Sequence, residues 1–198
     1  MPDFFDVVRS LRAQRALRPD PVPDELIERV LEAATRAPSA ENLQPWVFVI
    51  VRDAEARRRL ADLVRTIWDG GARDHARSRL SARLHADVDQ WATKGMAAAP
   101  VVIVVCGDRS TAYEATLPSS IFPAVQNVLL AAHALGLGSL LSTLPLIASD
   151  ELATILGLPD HVRAMAVIPI GWPERALPPA RRTDFRLKTF RDRFGQPW

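Results

Sequence analysis

Apolar and polar positions alternate along the chain in blocks that predict a mixed set of helices and strands. Phe4 to about Arg12 reads as a short N-terminal helix, followed by the linker Arg18-Pro19-Asp20-Pro21. Val22-Pro23-Asp24-Glu25 marks a helix start, because proline tolerates the first turn and acids suit its unpaired amides. Leu26, Ile27, Val30, Leu31 and Ala34 then recur at helical spacing until Ala37-Pro38 stops the run. Trp46 to Val51 is apolar on both faces and predicts a central strand; Val101 to Cys106 and Met165 to Ile170, ending at Gly171, predict two more buried strands. Ala54 to about Trp68 forms a second amphipathic helix, broken by Asp69-Gly70-Gly71. Ala72 to about Gln90 is rich in Arg, Asp and His and predicts a solvated helix or a mobile excursion. Gly107 to Ser120 reads as a polar loop, Ile121 to Leu135 as the most apolar helix, at the centre of the core, and Ser139 to Ser142 as a short strand. Ser149 to Leu156 is a short helix with a serine cap and an acidic first turn.

With 198 residues, 48% of them hydrophobic and 24% charged, the chain suits one domain over 1–198 with a full core, which excludes wholesale disorder and fibrous repeats. The single cysteine, Cys106, lies inside an apolar strand and is expected to be a buried, inert thiol. The start Met1-Pro2-Asp3-Phe4-Phe5-Asp6 lacks the pattern of a signal peptide, and no run reaches the ~18 apolar residues of a membrane span, so a cytoplasmic protein without a membrane partner is expected. Net charge is +2, and acids lie among the arginines nearly everywhere; no basic stripe for a nucleic acid stands out. Beyond Gly171 the composition turns to Pro and Arg with spaced aromatics, Phe185, Phe190, Phe194 and Trp198, which need a surface on the parent domain or on a partner subunit.

Candidate chemistry is sparse. His75, His85, His133 and His161 are scattered, no metal-ligand spacing occurs, and His133 on the apolar helix reads as a satisfied core histidine. The common dinucleotide, P-loop and hydrolase signatures are missing, which points to a bound cofactor as the carrier of the chemistry. Arg12-Ala13-Gln14-Arg15 offers two guanidiniums that could grip a phosphate, or could line a solvated face. Pro38-Ser39-Ala40-Glu41-Asn42-Leu43-Gln44-Pro45-Trp46 could hydrogen-bond a polyhydroxyl chain or a planar ring, or could be an ordinary helix-to-strand connection.

With these two elements, Pro19 to Glu25, Pro123-Ala124-Val125-Gln126-Asn127, Ala131 to Gly138, and Ile170-Gly171-Trp172-Pro173 followed by Arg181-Arg182, the sequence resembles the FMN-dependent nitroreductases, in the branch of single-domain bacterial members with an Arg-Ala-x-Arg start. The resemblance implies an α+β fold with a central, mostly antiparallel sheet flanked by helices, and a homodimer whose C-terminal tail packs on the partner subunit. It implies one FMN in each of two interfacial sites. The phosphate and ribityl chain would meet Arg12, Ala13, Arg15 and one or both of Arg181 and Arg182, while Pro38, Ser39, Ala40 and Asn42 would reach the flavin from the other subunit. Lys94 matches a family lysine near the flavin, and Ser142, Thr143 and Leu144 match a segment that offers backbone groups to the ring. Ala13 stands where the family often has serine, and Ala40 where it often has glycine. The implied activity is an oxidoreductase in which NAD(P)H reduces the flavin and a nitroaromatic, quinone or similar small electron acceptor reoxidises it. A flavin-cleaving or dehalogenating enzyme of the same fold and a non-catalytic FMN-binding dimer are the other readings.

Overall fold

A computed structural model describes residues 2–198. Its elements are α1 (Phe4–Ser10), β1 (Leu17–Arg18), α2 (Asp24–Ala34), β2 (Trp46–Val51), α3 (Ala54–Ile67), α4 (Arg73–Arg79), α5 (Ala82–Gln90), α6 (Met96–Ala98), β3 (Val101–Asp108), α7 (Leu117–Ala134), β4 (Gly138–Ser139), α8 (Ser149–Leu156) and β5 (Val162–Pro173). The strands form one antiparallel sheet in the order β1-β5-β3-β2, with β4 also pairing with β5.

Strand β3 is buried from Val101 through Gly107 because both faces of the sheet are covered. Val102, Val104 and Cys106 pack with Leu60, Val64, Met96 and Leu152 from the α3, α6 and α8 side. Val101, Ile103 and Val105 pack with Ile27, Val30, Ile121, Val125 and Val128 from α2 and α7. This alternation explains a continuous apolar run in an antiparallel strand: each residue has a helix above or below it. Cys106 is fully buried, and burial pushes its thiol up to about 12.

Several elements differ from their sequence reading. Strand β2 is at the edge of the sheet, with β3 as its partner, although it reads as central. Val47 and Val49 lie on one core and Trp46, Phe48 and Ile50 on the other, so two covered faces produce an apolar run even where one strand edge is free. Helix α1 stops at Ser10, not Arg12, as Leu11 turns extended at ψ 129°. Helix α7 begins at Leu117 because Leu117-Pro118 suits a first turn, which shortens the predicted polar loop. Strand β5 is longer than expected, reaching from Val162 to Pro173. Of the strand expected at Ser139 to Ser142, Gly138–Ser139 pairs with β5 and Ser142 adds a single bridge to Val167. His133 is half-buried, and its Nε2 lies 2.8 Å from Ser10 Oγ, as a satisfied core histidine should be.

The stretch from 72 to 90 is a helical excursion. Helices α4 and α5 bury no residue and sit between two single wide turns, Trp68–Ala72 and Trp91–Gly95, the first of which contains Gly71 at φ +128°. Asp89 ties the excursion down, accepting hydrogen bonds from Trp68 Nε1 at 2.8 Å and Arg73 Nε at 2.9 Å. At the other end of the chain, Phe185, Leu187, Phe194 and Trp198 are exposed, Phe194 at 92%, so the tail leaves these side chains uncovered by the rest of the chain. No helix among the described residues is long and apolar enough to cross a membrane.

Candidate functional site

The segment Arg12 to Ala16 is non-helical and threads between β4 and the end of β5. Gln14 N donates to Ser139 O at 2.9 Å, and Glu174 N donates to Ala16 O at 3.1 Å. Two glycines make room for it. A Cβ on Gly138 would lie 2.8 Å from Leu17 Cδ2 and 3.0 Å from Gln14 Cβ, and one on Gly95 would lie 2.6 Å from the Arg15 carbonyl oxygen. Any larger residue at Gly95 would collide with backbone.

The segment presents its two guanidiniums to two cavities, Arg12 to both of them and Arg15 to the smaller. Arg12 and Ala13 line a cavity of about 330 Å³ together with Gln126, Ser139, Leu141 and Arg182. Arg12 donates from one terminal nitrogen to Pro178 O at 2.6 Å, while its buried Nε has no partner. Ser139 Oγ is likewise buried without a hydrogen bond. Orphaned polar atoms of this kind carry a desolvation cost that a bound acceptor would remove. Of the two adjacent tail arginines, Arg182 lines this cavity; Arg181 contributes its carbonyl oxygen, which accepts from Arg182 at 3.2 Å.

Arg15 faces the second cavity, about 30 Å³, which Arg12 also borders along with Arg83, Asp87, Gln90 and Arg175. Burial pulls the Arg15 guanidinium below its ordinary value, Asp87 opposes that shift, and the like charge of Arg12 adds to it. Arg12, Arg15 and Arg182 therefore share no single cavity, and Arg175, outside every matched motif, is a neighbour of Arg15. Lys94 is exposed on the turn Trp91–Gly95 and lines neither cavity, but the next residue, Gly95, abuts the Arg15 carbonyl.

Ser142, Thr143 and Leu144 lead away from the larger cavity. Ser142 is buried, exchanges backbone hydrogen bonds with Val167 at 2.9 and 3.0 Å, and accepts at Oγ from Leu144 N at 3.3 Å. Thr143 is exposed, and Leu144 packs on the α3 side of the core.

The loop with Pro38, Ser39, Ala40 and Asn42 lies elsewhere in the protomer and borders neither arginine cavity. Ala40 N donates to the buried Ser120 Oγ at 3.1 Å, and Gln44 N donates to Ser39 Oγ at 3.0 Å. Glu41, Asn42 and Gln44 have φ of +54°, +56° and +52°. Three non-glycine residues in the left-handed region within one loop store strain, and such strain concentrates at binding sites. Pro38 and Asn42 are exposed, and Glu41 and Leu43 border a groove of about 360 Å³ with Arg109 and Tyr113. The structure keeps this loop apart from the arginines.

Sequence reasoning missed Ser139, Ser120, Arg83, Asp87 and Arg175. Each reaches its place through tertiary packing, and none stands within a recognisable spacing.

The model of the nitroreductase family matches residues 8–172 of the 198. The chain belongs to this family. An NADH dehydrogenase from Thermus thermophilus is 31% identical over 209 residues, an alignment that takes in 86% of this chain and 87% of the other. Iodotyrosine deiodinase 1 of Rattus norvegicus is 26% identical over 94% of this chain, which spans 67% of that protein. The solved structure of an oxidised iodotyrosine deiodinase bound to FMN and 3-iodo-L-tyrosine superimposes with a TM-score of 0.75 at 25% identity, covering 92% of this chain and 96% of that one. The chain has a nitroreductase-family flavoprotein fold, and the proteins it is similar to include both a dehydrogenase and a deiodinase.

Proposed function

We propose that this nitroreductase-family protein is an FMN-dependent oxidoreductase that takes electrons from NAD(P)H and passes them to a nitroaromatic, a quinone or a related small acceptor. The observation that carries the reading is the larger cavity, where Arg12 Nε and Ser139 Oγ are buried without partners beside Arg182. A phosphate there would accept from Arg12, Arg182 and Ser139, and Ala13 would contribute its backbone amide in place of a serine hydroxyl. FMN, when bound, supplies hydride acceptance and release in alternate half-reactions, which accounts for the lack of a catalytic triad or metal cluster in the sequence. Arg15, beside the turn that carries Lys94, would add positive charge near a bound flavin and favour its electron-rich form. Of Ser142, Thr143 and Leu144, Ser142 spends both backbone groups on Val167 and Leu144 N is bonded to Ser142 Oγ, so the exposed Thr143 is the residue of that segment that would offer a backbone amide to the ring. Arg181 plays a supporting part through the carbonyl that orients Arg182.

The same reading makes the protein a homodimer. Pro38, Ser39, Ala40 and Asn42 cannot serve the arginine cavities of their own protomer, and a partner's flavin would give that strained loop its ligand. The open edge of β2, the uncovered aromatics Phe185, Phe194 and Trp198, and the exposed Phe4, Phe5 and Phe122 are surfaces a second copy would cover. Purified protein should be yellow, with flavin absorbance that anaerobic NADPH or NADH bleaches and a nitroaromatic or quinone restores. A colourless protein that takes up no added FMN would overturn the proposal, and a yellow one that neither nicotinamide bleaches would favour the non-catalytic binder. The deiodinase relative favours reductive dehalogenation as the second reading, tested by iodide release from 3-iodo-L-tyrosine with dithionite as reductant.

A further inference from the structure

The smaller cavity gathers four guanidinium-bearing residues, Arg12, Arg15, Arg83 and Arg175, around one carboxylate, Asp87. Two of the five charged side chains bordering it come from α5 itself, Arg83 and Asp87, so the helix brings both a like and an opposite charge to the cluster. At about 30 Å³ the space holds about two water molecules and no larger anion. Asp87 Oδ1 lies 4.0 Å from an Arg175 terminal nitrogen and is the carboxylate that acts on Arg15. Helix α5 buries no residue, and wide turns flank the excursion at Trp68–Ala72 and Trp91–Gly95. Val88 packs on the core and Asp89 bonds to Trp68 and Arg73, and Asp87 adds its charge to what holds the inner face of α5 down.

We infer that Asp87 is a built-in counter-anion: it stands in for the cofactor's negative charge at the Arg15 and Arg175 guanidiniums, docks α5 over them, and competes with that charge when the flavin binds. The inference rests on the proposed flavin site. That competition acts through space, since the phosphate is proposed for the neighbouring cavity that Arg12 also borders; the charge has two sources, the FMN phosphate and the pyrimidine edge of the reduced ring, and they are separated by the choice of ligand. Like charges around a half-buried site raise its affinity for an anion when their internal carboxylate is neutralised, and at intermediate dielectric a single charge a few ångströms away is worth an order of magnitude or more.

The test compares wild-type, Asp87→Asn and Asp87→Glu proteins as full-length chains. In the flavin-stripped state, hydrogen exchange of the amides of residues 82–90 should be roughly ten-fold faster in Asp87→Asn than in wild type and unchanged in Asp87→Glu, because the dock is a charge. This arm needs no flavin and survives a failure of the functional reading. In flavin titrations, Asp87→Asn should bind FMN roughly ten-fold tighter than wild type with riboflavin unchanged if the phosphate is the competing charge. If the reduced ring is the competitor, oxidised FMN affinity stays level and the midpoint potential rises by about 30 mV, the two-electron equivalent of ten-fold. Either gain should vanish in Arg15→Ala. Unchanged exchange over 82–90 together with unchanged or weaker flavin binding and an unmoved potential in Asp87→Asn would overturn the inference. A wild-type protein that binds no flavin would instead sink the functional proposal alone.

Discussion

Replacing Gly95 with alanine tests whether the turn Trp91–Gly95 sets the position of the arginine segment. The new Cβ would stand 2.6 Å from the Arg15 carbonyl oxygen and 3.2 Å from Trp91 Cδ1. Close carbon–oxygen approaches settle near 3.3 Å, so one backbone must retreat by roughly 0.7 Å. A side-chain rotamer cannot relieve the clash, because its partner is main chain held on both sides by the Gln14–Ser139 and Ala16–Glu174 hydrogen bonds. Overpacking of this kind costs about 1–3 kcal/mol, and at this chain length each kcal/mol lowers Tm by about 2–4 °C, giving a drop of about 2–12 °C. Movement of Arg15 should also weaken flavin binding, by up to the roughly 10- to 150-fold that one charge-assisted contact supplies. Gly70→Ala is the control: nothing lies within 4 Å of its Cβ, and its backbone is not left-handed. Thermal melts followed by flavin absorbance and by far-UV circular dichroism, with fluorescence titrations of FMN, measure both effects. Equal behaviour of Gly95→Ala and Gly70→Ala would refute the steric reasoning, and a lower Tm with unaltered flavin affinity would refute the link to Arg15.

Arg12→Ala and Arg182→Ala should each weaken FMN roughly 10- to 150-fold and spare riboflavin, whereas the exposed Arg18, paired with Asp20 at 3.4 Å, should tolerate alanine without effect; equal losses for both flavins would place these arginines in folding and not at a phosphate. Alkylating reagents at pH 8 should leave native Cys106 unmodified and any NAD(P)H oxidation rate unchanged, since burial holds its thiol near 12; fast labelling in mass spectra would contradict this. Hydrogen bonding from Trp68, helped by the Arg73 charge, holds the Asp89 carboxyl below its ordinary 3.8, so its stabilisation is complete above that range and fades as pH falls through it. Asp89→Asn should therefore cost about 1 kcal/mol at pH 7, with the gap in urea midpoints to wild type narrowing below about pH 4. Light scattering at micromolar concentration should report a dimer, and a flavin-binding monomer of 21.9 kDa would exclude the two-chain site.

Much of the scaffold was legible because burial on two faces writes itself into composition. The alternation of Val101, Ile103 and Val105 against Val102, Val104 and Cys106 made β3 readable as a covered strand. The same signal misplaced β2, since apolarity reports covered faces and is silent about whether a strand edge is paired. The loop from Pro38 to Trp46 stood out by its residue types, yet its left-handed Glu41 and Gln44 could not be foreseen, as neither residue favours that conformation. Arg12 and Arg15 were visible as a pair; that both border the smaller cavity while Arg12 also reaches the larger one is set by the extended segment after α1 ends at Ser10, which residue spacing does not show. Ser139 drew no notice because its importance comes from an unmatched hydroxyl beside Arg12, which only three-dimensional packing creates.

The excursion carried by α4 and α5 contributes no buried side chain, so the sheet and its two cores do not depend on the identity of most residues between 73 and 90. Folding and surface character are thereby encoded on separate stretches of one short chain. Random substitution at outward positions such as Asp74, Arg77, Ser78, Arg79 and Ala86 should yield libraries in which nearly every member still folds. Mutational drift can sample new surfaces there at little risk to the scaffold, with Asp87 and Asp89 as the fixed points that keep the excursion in place.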